Sequence, residues 1–291
     1  MLVSRFIVVQ GTGRFANQVI QAMAAQQIKE DLHLDELYLP GIPDWGIEKS
    51  RNYKLRQFQI RFEIKSGYRK SVRLGGSGGE WPEALRDEEY KRVHLVGTGV
   101  HIKNLTRQRE FAQNILSQEP QRDCCVENLQ LKSKLKDFHL VHVRQGDIFQ
   151  NYVLKRPDYH PLPIRFYESL ASTSNKPLAF IGEVDANPDY ISQLNLRCKS
   201  SIVVPPGCLH RDFNLLREAE MLTMAVSTFS WLASWISEKA TVVNIPIAGF
   251  LNPVIRPDID LTSQLSARYI KCPIEIPDRS NRDEFQKWLF A

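Results

Sequence analysis

Three short segments of the chain carry side chains suited to holding an anion. The first, Gly11-Thr12-Gly13-Arg14-Phe15-Ala16, lies between an apolar run and an Ala/Gln-rich stretch and is followed by Asn17-Gln18. Its glycines permit a tight turn, and a helix opening there offers free N–H groups to a negative charge. The second, His142-Val143-Arg144-Gln145-Gly146-Asp147, closes another apolar run with a titratable ring, a permanent cation and a carboxylate. The Arg144 guanidinium suits a phosphate because it makes paired, charge-assisted hydrogen bonds. The third, Ser227-Thr228-Phe229-Ser230-Trp231, sets hydroxyls ahead of an uncharged stretch, where they act as helix caps or as phosphate ligands. Taken singly, each segment also fits a ligand-free role: a strand-to-helix turn, a surface Arg–Asp pair, a capped core helix.

The elements around these segments follow from apolar patterning. Short apolar runs alternate with amphipathic stretches, the pattern of an α/β protein with parallel sheets. Strands are expected at Arg5–Gln10, Leu37–Leu39, Arg92–Val96, Phe138–Val143, Pro177–Ile181, Ser201–Val204 and Thr241–Ile245. Helices are expected at Phe15–Lys29, Thr106–Ser117, Pro163–Ser172, Pro188–Leu194, near Asp212–Thr223, at Phe229–Lys239 and over the tail Asn281–Phe290. From Pro40 to Tyr90 the pattern weakens into loop-rich sequence with a basic run from Lys54 to Arg73 and one candidate strand at Gln57–Phe62. The polar stretch Gln130–Asp137 reads as a linker. The expected domains are therefore 1–135 and 136–291, with the last helix free to pack back on the first.

Composition removes several classes. With 291 residues, 43% hydrophobic and 24% charged, the chain is neither disordered nor a small disulfide scaffold. A net charge of +5 suits an anionic small molecule or lipid surface and is weak beside the basic stripes of nucleic-acid binders, so no nucleic-acid partner is expected. Five cysteines without a CxxC spacing indicate neither a zinc site nor a disulfide framework, and a reduced cytosol is the simple reading. The start of the chain lacks a signal-peptide pattern. The longest uncharged stretch, Met221–Ser237, is short for a membrane span and rich in hydroxyls, so it reads as buried protein. The first segment also matches GxGxxA, a form of the dinucleotide fingerprint, but that fingerprint needs an acid at the end of the next strand. Here Leu37-Tyr38-Leu39 runs into Pro40-Gly41, so an NAD site is disfavoured.

In this order the three segments resemble the fucosyltransferase superfamily, most closely the α-1,2-fucosyltransferases of glycosyltransferase family 11. Gly13-Arg14-Phe15-Ala16-Asn17-Gln18 resembles the family's GR(F/L)GNQ motif, with Ala16 for its second glycine. His142–Asp147 resembles HxRRxD, with Gln145 for the second arginine. Ser227–Trp235 resembles NS(S/T)FSWWxAW, with Val226 for asparagine and Leu232 for the second tryptophan. Tyr159-His160-Pro161-Leu162-Pro163 with Phe166-Tyr167 is similar to the stretch leading into the family's (Y/F)Y helix.

The resemblance implies a GT-B fold, two Rossmann-like domains facing across a cleft, and an inverting transfer of fucose from GDP-fucose to a glycan hydroxyl. It implies an α-1,2 linkage, no metal or other cofactor, and a cytoplasmic enzyme of surface-polysaccharide synthesis. The acceptor would be an oligosaccharide, with lipid-linked forms included, and the basic excess would favour peripheral contact with an anionic inner membrane. By motif match Arg144 would neutralise the departing diphosphate, helped by Ser227, Thr228 and Ser230, with His142 beside the nucleotide. Gly13, Arg14 and Asn17 would face the sugar or phosphates from the other domain. Where the family has Ser-Asp-Asp this chain has Gly182-Glu183-Val184-Asp185, so Glu183 and Asp185 become the candidates for reading the base or ribose, and the donor sugar is left open. Asp147 is a candidate general base or only an orienting partner of Arg144; Glu183 is a more distant alternative, and the leaving diphosphate itself a third. A transferase for another nucleotide sugar and a catalytically silent sugar-nucleotide or glycan binder stay as alternatives.

Overall fold

The alternation of apolar runs and amphipathic stretches folds as two separate series of parallel strands with helical crossovers. The computed structural model of the chain describes residues 4–86, 89–117, 124–151, 158–263, 265–277 and 281–291. It divides into two compact units, Met1–Pro120 with Arg256–Gln264, and Gln121–Ile255 with Leu265–Ala291.

The first unit runs β1 (Phe6–Val9), α1 (Phe15–Asp31), β2 (Glu36–Tyr38), α2 (Tyr53–Lys65), β3 (Ser71–Leu74), α3 (Trp81–Ala84), β4 (Arg92–Leu95) and α4 (Arg109–Ser117). Its four strands pair in parallel in the order β2-β1-β4-β3. All four residues of β1 are buried, as a central parallel strand covered on both faces requires. Behind the first glycine turn, Phe15 stacks on Trp45 at 4.7 Å, and the Trp45 indole N–H donates to the Leu116 carbonyl, fixing where α1 begins.

One expectation is overturned here. Gln57–Phe62 is not a strand in a loop but part of α2. Phe58, Ile60, Phe62 and Ile64 alternate with polar residues and so imitate strand periodicity. In the folded unit Tyr53 and Ile60, with Ile64 beside them, form the inward face, packed on Phe6, Val8 and Tyr38. The other apolar residues of α2 point outward.

The second unit runs α5 (Cys124–Leu135), β5 (His139–Val143), α6 (Gly146–Asn151), α7 (Ile164–Thr173), β6 (Leu178–Gly182), α8 (Pro188–Arg197), β7 (Ile202–Val203), α9 (Leu209–Glu218), β8 (Met221–Thr223), α10 (Thr228–Ile236), β9 (Val242–Ile247), β10 (Tyr269–Pro273) and α11 (Arg282–Phe290). Its six strands are parallel, in the order β10-β9-β8-β5-β6-β7. The expected linker Gln130–Asp137 is largely the end of α5, so the division falls at Pro120 and not at 135. The apolar end of the helix expected at Asp212–Thr223 is strand β8. The tail helix α11 stays with the second unit: Trp288 Nε1 donates to the Glu275 carbonyl at 3.0 Å and the Phe290 ring lies 6.1 Å from that of Tyr190. It is the segment Arg256–Gln264 that rejoins the first unit, where Ser77 Oγ donates to Asp258 at 3.0 Å and Ile102 N–H to the Asp260 carbonyl at 2.9 Å. Met221–Ser237 is built into β8 and α10, and no described helix is long and apolar enough to cross a membrane.

Both sheets bury a histidine. His94 on β4 and His139 on β5 are held neutral by burial, each pushed down to about 4. His139 Nδ1 lies 3.1 Å from Ser174 Oγ and its Nε2 lies 2.9 Å from Thr223 Oγ1. An unfolded chain titrates these rings near 6.5. Between about 6.5 and 4 the unfolded state therefore binds protons that the folded state refuses, so the stability present above that window is lost as pH falls through it. The melting temperature should drop steeply across this interval in a pH series, and less steeply in His139→Asn. A flat profile there would contradict the burial of these rings.

Candidate functional site

The first glycine turn leaves the carboxyl end of β1, beside β4, where the strand order reverses; such switch points leave a crevice for ligands. Gly13 has φ +74°, and a Cβ there would lie 2.6 Å from Asn17 Nδ2, so glycine serves both the turn and the space for Asn17. Arg14 caps α1 with extended backbone and is exposed, while Asn17 is half-buried on the first helical turn. Two amides pin the loop. Gln18 Nε2 donates to the Gly13 carbonyl at 3.0 Å, and the buried Gln21 accepts from Thr12 N–H and donates to the Gly97 carbonyl behind β4. The carboxyl end of β2 carries Leu39 and Pro40 and no carboxylate, so the dinucleotide requirement is unmet.

In the second unit the chain order reverses between β5 and β8. The arginine segment follows β5, the hydroxyl segment follows β8, and Glu183 follows β6 on the other side of β5. They are knitted together directly. The His142 ring lies 5.5 Å from Phe229, and Phe229 lies 5.3 Å from Phe213 on α9. The Gln145 N–H donates to Glu183 Oε2 at 2.9 Å. Arg144 is half-buried with its guanidinium over the Tyr159 ring at 5.2 Å, and Tyr159 packs on Phe250 at 5.1 Å. That aromatic shelf is latched to the loop after β9 by the Phe250 N–H, which donates to the Asp158 carbonyl. A Cβ on Gly249 would come within 2.2 Å of the same carbonyl, so only glycine admits the latch.

The remaining expected residues fall into different settings. Ser227 caps α10 by accepting from the Phe229 N–H at 3.2 Å, and Ser230 is buried with its hydroxyl turned to the Ala225 and Ser227 carbonyls. Thr228 is half-buried at the helix start and Asp185 is exposed. Asp147 is the second residue of α6, but its side chain lies outside the described residues. His142 is buried, and desolvation, reinforced by the charge of Arg144, pushes it down to about 3. It is a neutral ring at ordinary pH, not a second cation. Among the described residues no group of His, Cys, Asp and Glu is placed to hold a metal ion. A recess of about 450 Å³ lies elsewhere in the unit, over His139, Asn244 and Cys272, toward the amino ends of β5, β8 and β9.

No protein-family model matches the chain, and no curated protein sequence matches it. Solved structures similar to it include the fucosyltransferase NodZ from Bradyrhizobium, at 11% identity over 83% of this chain and 94% of that one, with a TM-score of 0.48. Arabidopsis thaliana FUT1 in complex with GDP is similar at 10% identity over 84% and 70%, with a TM-score of 0.47. Escherichia coli heptosyltransferase WaaC with ADP follows at 12% identity over 94% of each chain, with a TM-score of 0.43.

The arrangement offers one fixed cation and a helix N-terminus at a single strand-edge crevice, which is chemistry for an oxyanion. Sequence reading missed Gln21, Phe213 and the shelf role of Tyr159, because each acts through a partner distant in sequence. Gln145, which stands where the resembled motif has its second arginine, is fully buried, and neither atom of its side-chain amide has a hydrogen-bond partner. An unpaired buried amide costs roughly 1–3 kcal/mol. Gln145→Met, similar in volume, should therefore match or exceed the native stability in urea unfolding. A loss beyond about 1 kcal/mol would show that the amide is satisfied in solution.

Proposed function

We propose that the chain is a glycosyltransferase of GT-B type that moves fucose from GDP-fucose to a glycan hydroxyl with inversion, forming an α-1,2 linkage, in surface-polysaccharide synthesis. The observation that carries this reading is the meeting of the arginine and hydroxyl segments at the β5/β8 switch, with His142 packed on Phe229. The motif resemblance supplies the donor and the linkage.

In this mechanism the acceptor oxygen attacks the anomeric carbon as the bond to the β-phosphate oxygen breaks. The electron pair leaves with GDP. The developing charge falls to Arg144, held on the Tyr159 shelf, and to the N–H groups that open α10. Stabilising charge where it develops is commonly the largest catalytic contribution. Neutral His142 offers a hydrogen bond to the nucleotide. Asp147 takes the acceptor proton or orients Arg144, and no metal is assigned a part. Gly13, Arg14 and Asn17 form a second anion-ready turn whose part in the reaction rests on the resemblance alone. Because Glu183 is bound to the Gln145 N–H, Asp185 is the freer carboxylate for a base or ribose, which favours testing a second reading in which another nucleotide sugar is the donor.

Two measurements test this. A ligand at one hundred times its Kd raises stability by about 2.7 kcal/mol, so GDP should raise the melting temperature by several degrees while UDP, ADP and NAD should not. Stabilisation by one of those three in place of GDP overturns the donor. Arg144→Ala should keep its melting temperature and lose roughly 10²–10³-fold in kcat with EDTA present. Tyr159→Leu, which removes the aromatic ring beneath the cation, should lose less. Unchanged turnover in Arg144→Ala sinks the phosphate role.

A further inference from the structure

The outward face of α2 is not that of a solvated helix. At 100° per residue, Leu55, Phe58 and Phe62 converge on the pole opposite the buried Tyr53 and Ile60. Their side chains are 62%, 71% and 64% exposed. Single exposed apolar residues are ordinary, but three aligned on one pole, with the half-exposed Tyr68 just beyond, form a patch that wants a cover. Lys54, Arg61 and Lys65 lie together along one flank of that pole, all exposed, and Arg69 and Lys70 follow in the next turn. The helix's one carboxylate, Glu63, is turned away and paired with Arg92.

We propose that this face is a docking surface for an anionic lipid bilayer. An apolar pole flanked by cations is the pattern of a helix that lies in a membrane interface, with rings among the acyl chains and ammonium groups at the headgroups. The charge selects the occupant. A second copy of the chain docked antiparallel on this pole about a twofold axis would set Lys54, Arg61 and Lys65 against their own like. A negative surface instead gains from every one of them. The pole is the convex side of one helix, which suits a planar interface better than a groove-filling peptide. This inference stands apart from the sugar-transfer reading, and its test needs no sugar donor.

The full chain is mixed with phosphatidylcholine vesicles, with or without phosphatidylglycerol, and bound protein is measured by flotation. Binding is expected to the phosphatidylglycerol vesicles and to weaken as salt rises. Phe58→Ser with Phe62→Ser should lower partitioning at least about tenfold with the melting temperature unchanged, because both rings are exposed. Lys54→Glu with Lys65→Glu should lower it about fivefold or more per residue on phosphatidylglycerol vesicles. Absence of binding, or binding indifferent to the phenylalanine pair, overturns the proposal. So does a dimer in sedimentation that Phe58→Ser dissociates, since the patch would then be a contact between copies.

Discussion

The parallel pairing of β8 with β5 is the constraint on which the candidate site depends. It rests on two registered pairs, Leu140 with Leu222 and Val141 with Thr223. A buried polar ladder reinforces it across three strands: Thr223 Oγ1 lies 2.9 Å from His139 Nε2 and accepts from Asn244 Nδ2 at 3.1 Å. A one-residue slip would turn Thr223 to the opposite face and take from the buried His139 imidazole and Asn244 amide the hydroxyl they share. Register is thus fixed by a polar ladder within the sheet, while the arginine and hydroxyl segments follow the carboxyl ends of β5 and β8. The crossover that brings β8 back beside β5 creates the crevice, and it delivers the hydroxyl segment to the arginine segment.

Charge at this crevice is concentrated rather than abundant. Arg144 keeps one side in solvent and one on an aromatic ring, so it is oriented without the cost of full desolvation. His142 beside it is neutral, which avoids two cations competing within a few ångströms. The hydroxyls of Ser227 and Ser230 are spent on shaping the start of α10, so the helix terminus itself, more than its side chains, faces the crevice. The net charge of the chain says nothing of this; one placed guanidinium does.

Much of the fold was legible in the sequence because parallel strands buried on both faces are continuous or nearly continuous apolar runs: Phe6–Val9 is wholly apolar, and His139–Val143 is apolar but for its two histidines. What was not legible has definite physical causes. β8 is three residues long and follows α9 closely, so its apolar residues read as a continuation of the helix. β10 is an edge strand with exposed positions and no clear alternation. α2 imitates a strand because apolar side chains occupy both its core side and its outward pole. At the site, types and spacing pointed to Arg144 and His142. They could not reveal that the Glu183 carboxylate is tied to the Gln145 backbone or that Gln145 is interior, since both facts depend on how β5 and β6 lie side by side.

The return of residues 256–264 to the first unit has a consequence for how the molecule is made. Asp258 and Asp260 supply acceptors to Ser77 and Ile102, which precede them by most of the second unit's sequence. A chain emerging from the ribosome therefore cannot finish its N-terminal unit in order, as domains commonly do. That unit must wait, with those donors exposed to water, until residues 256–264 have been synthesised. Neither unit is a continuous stretch of chain, so the two are bound into one synthesis and one act of completion.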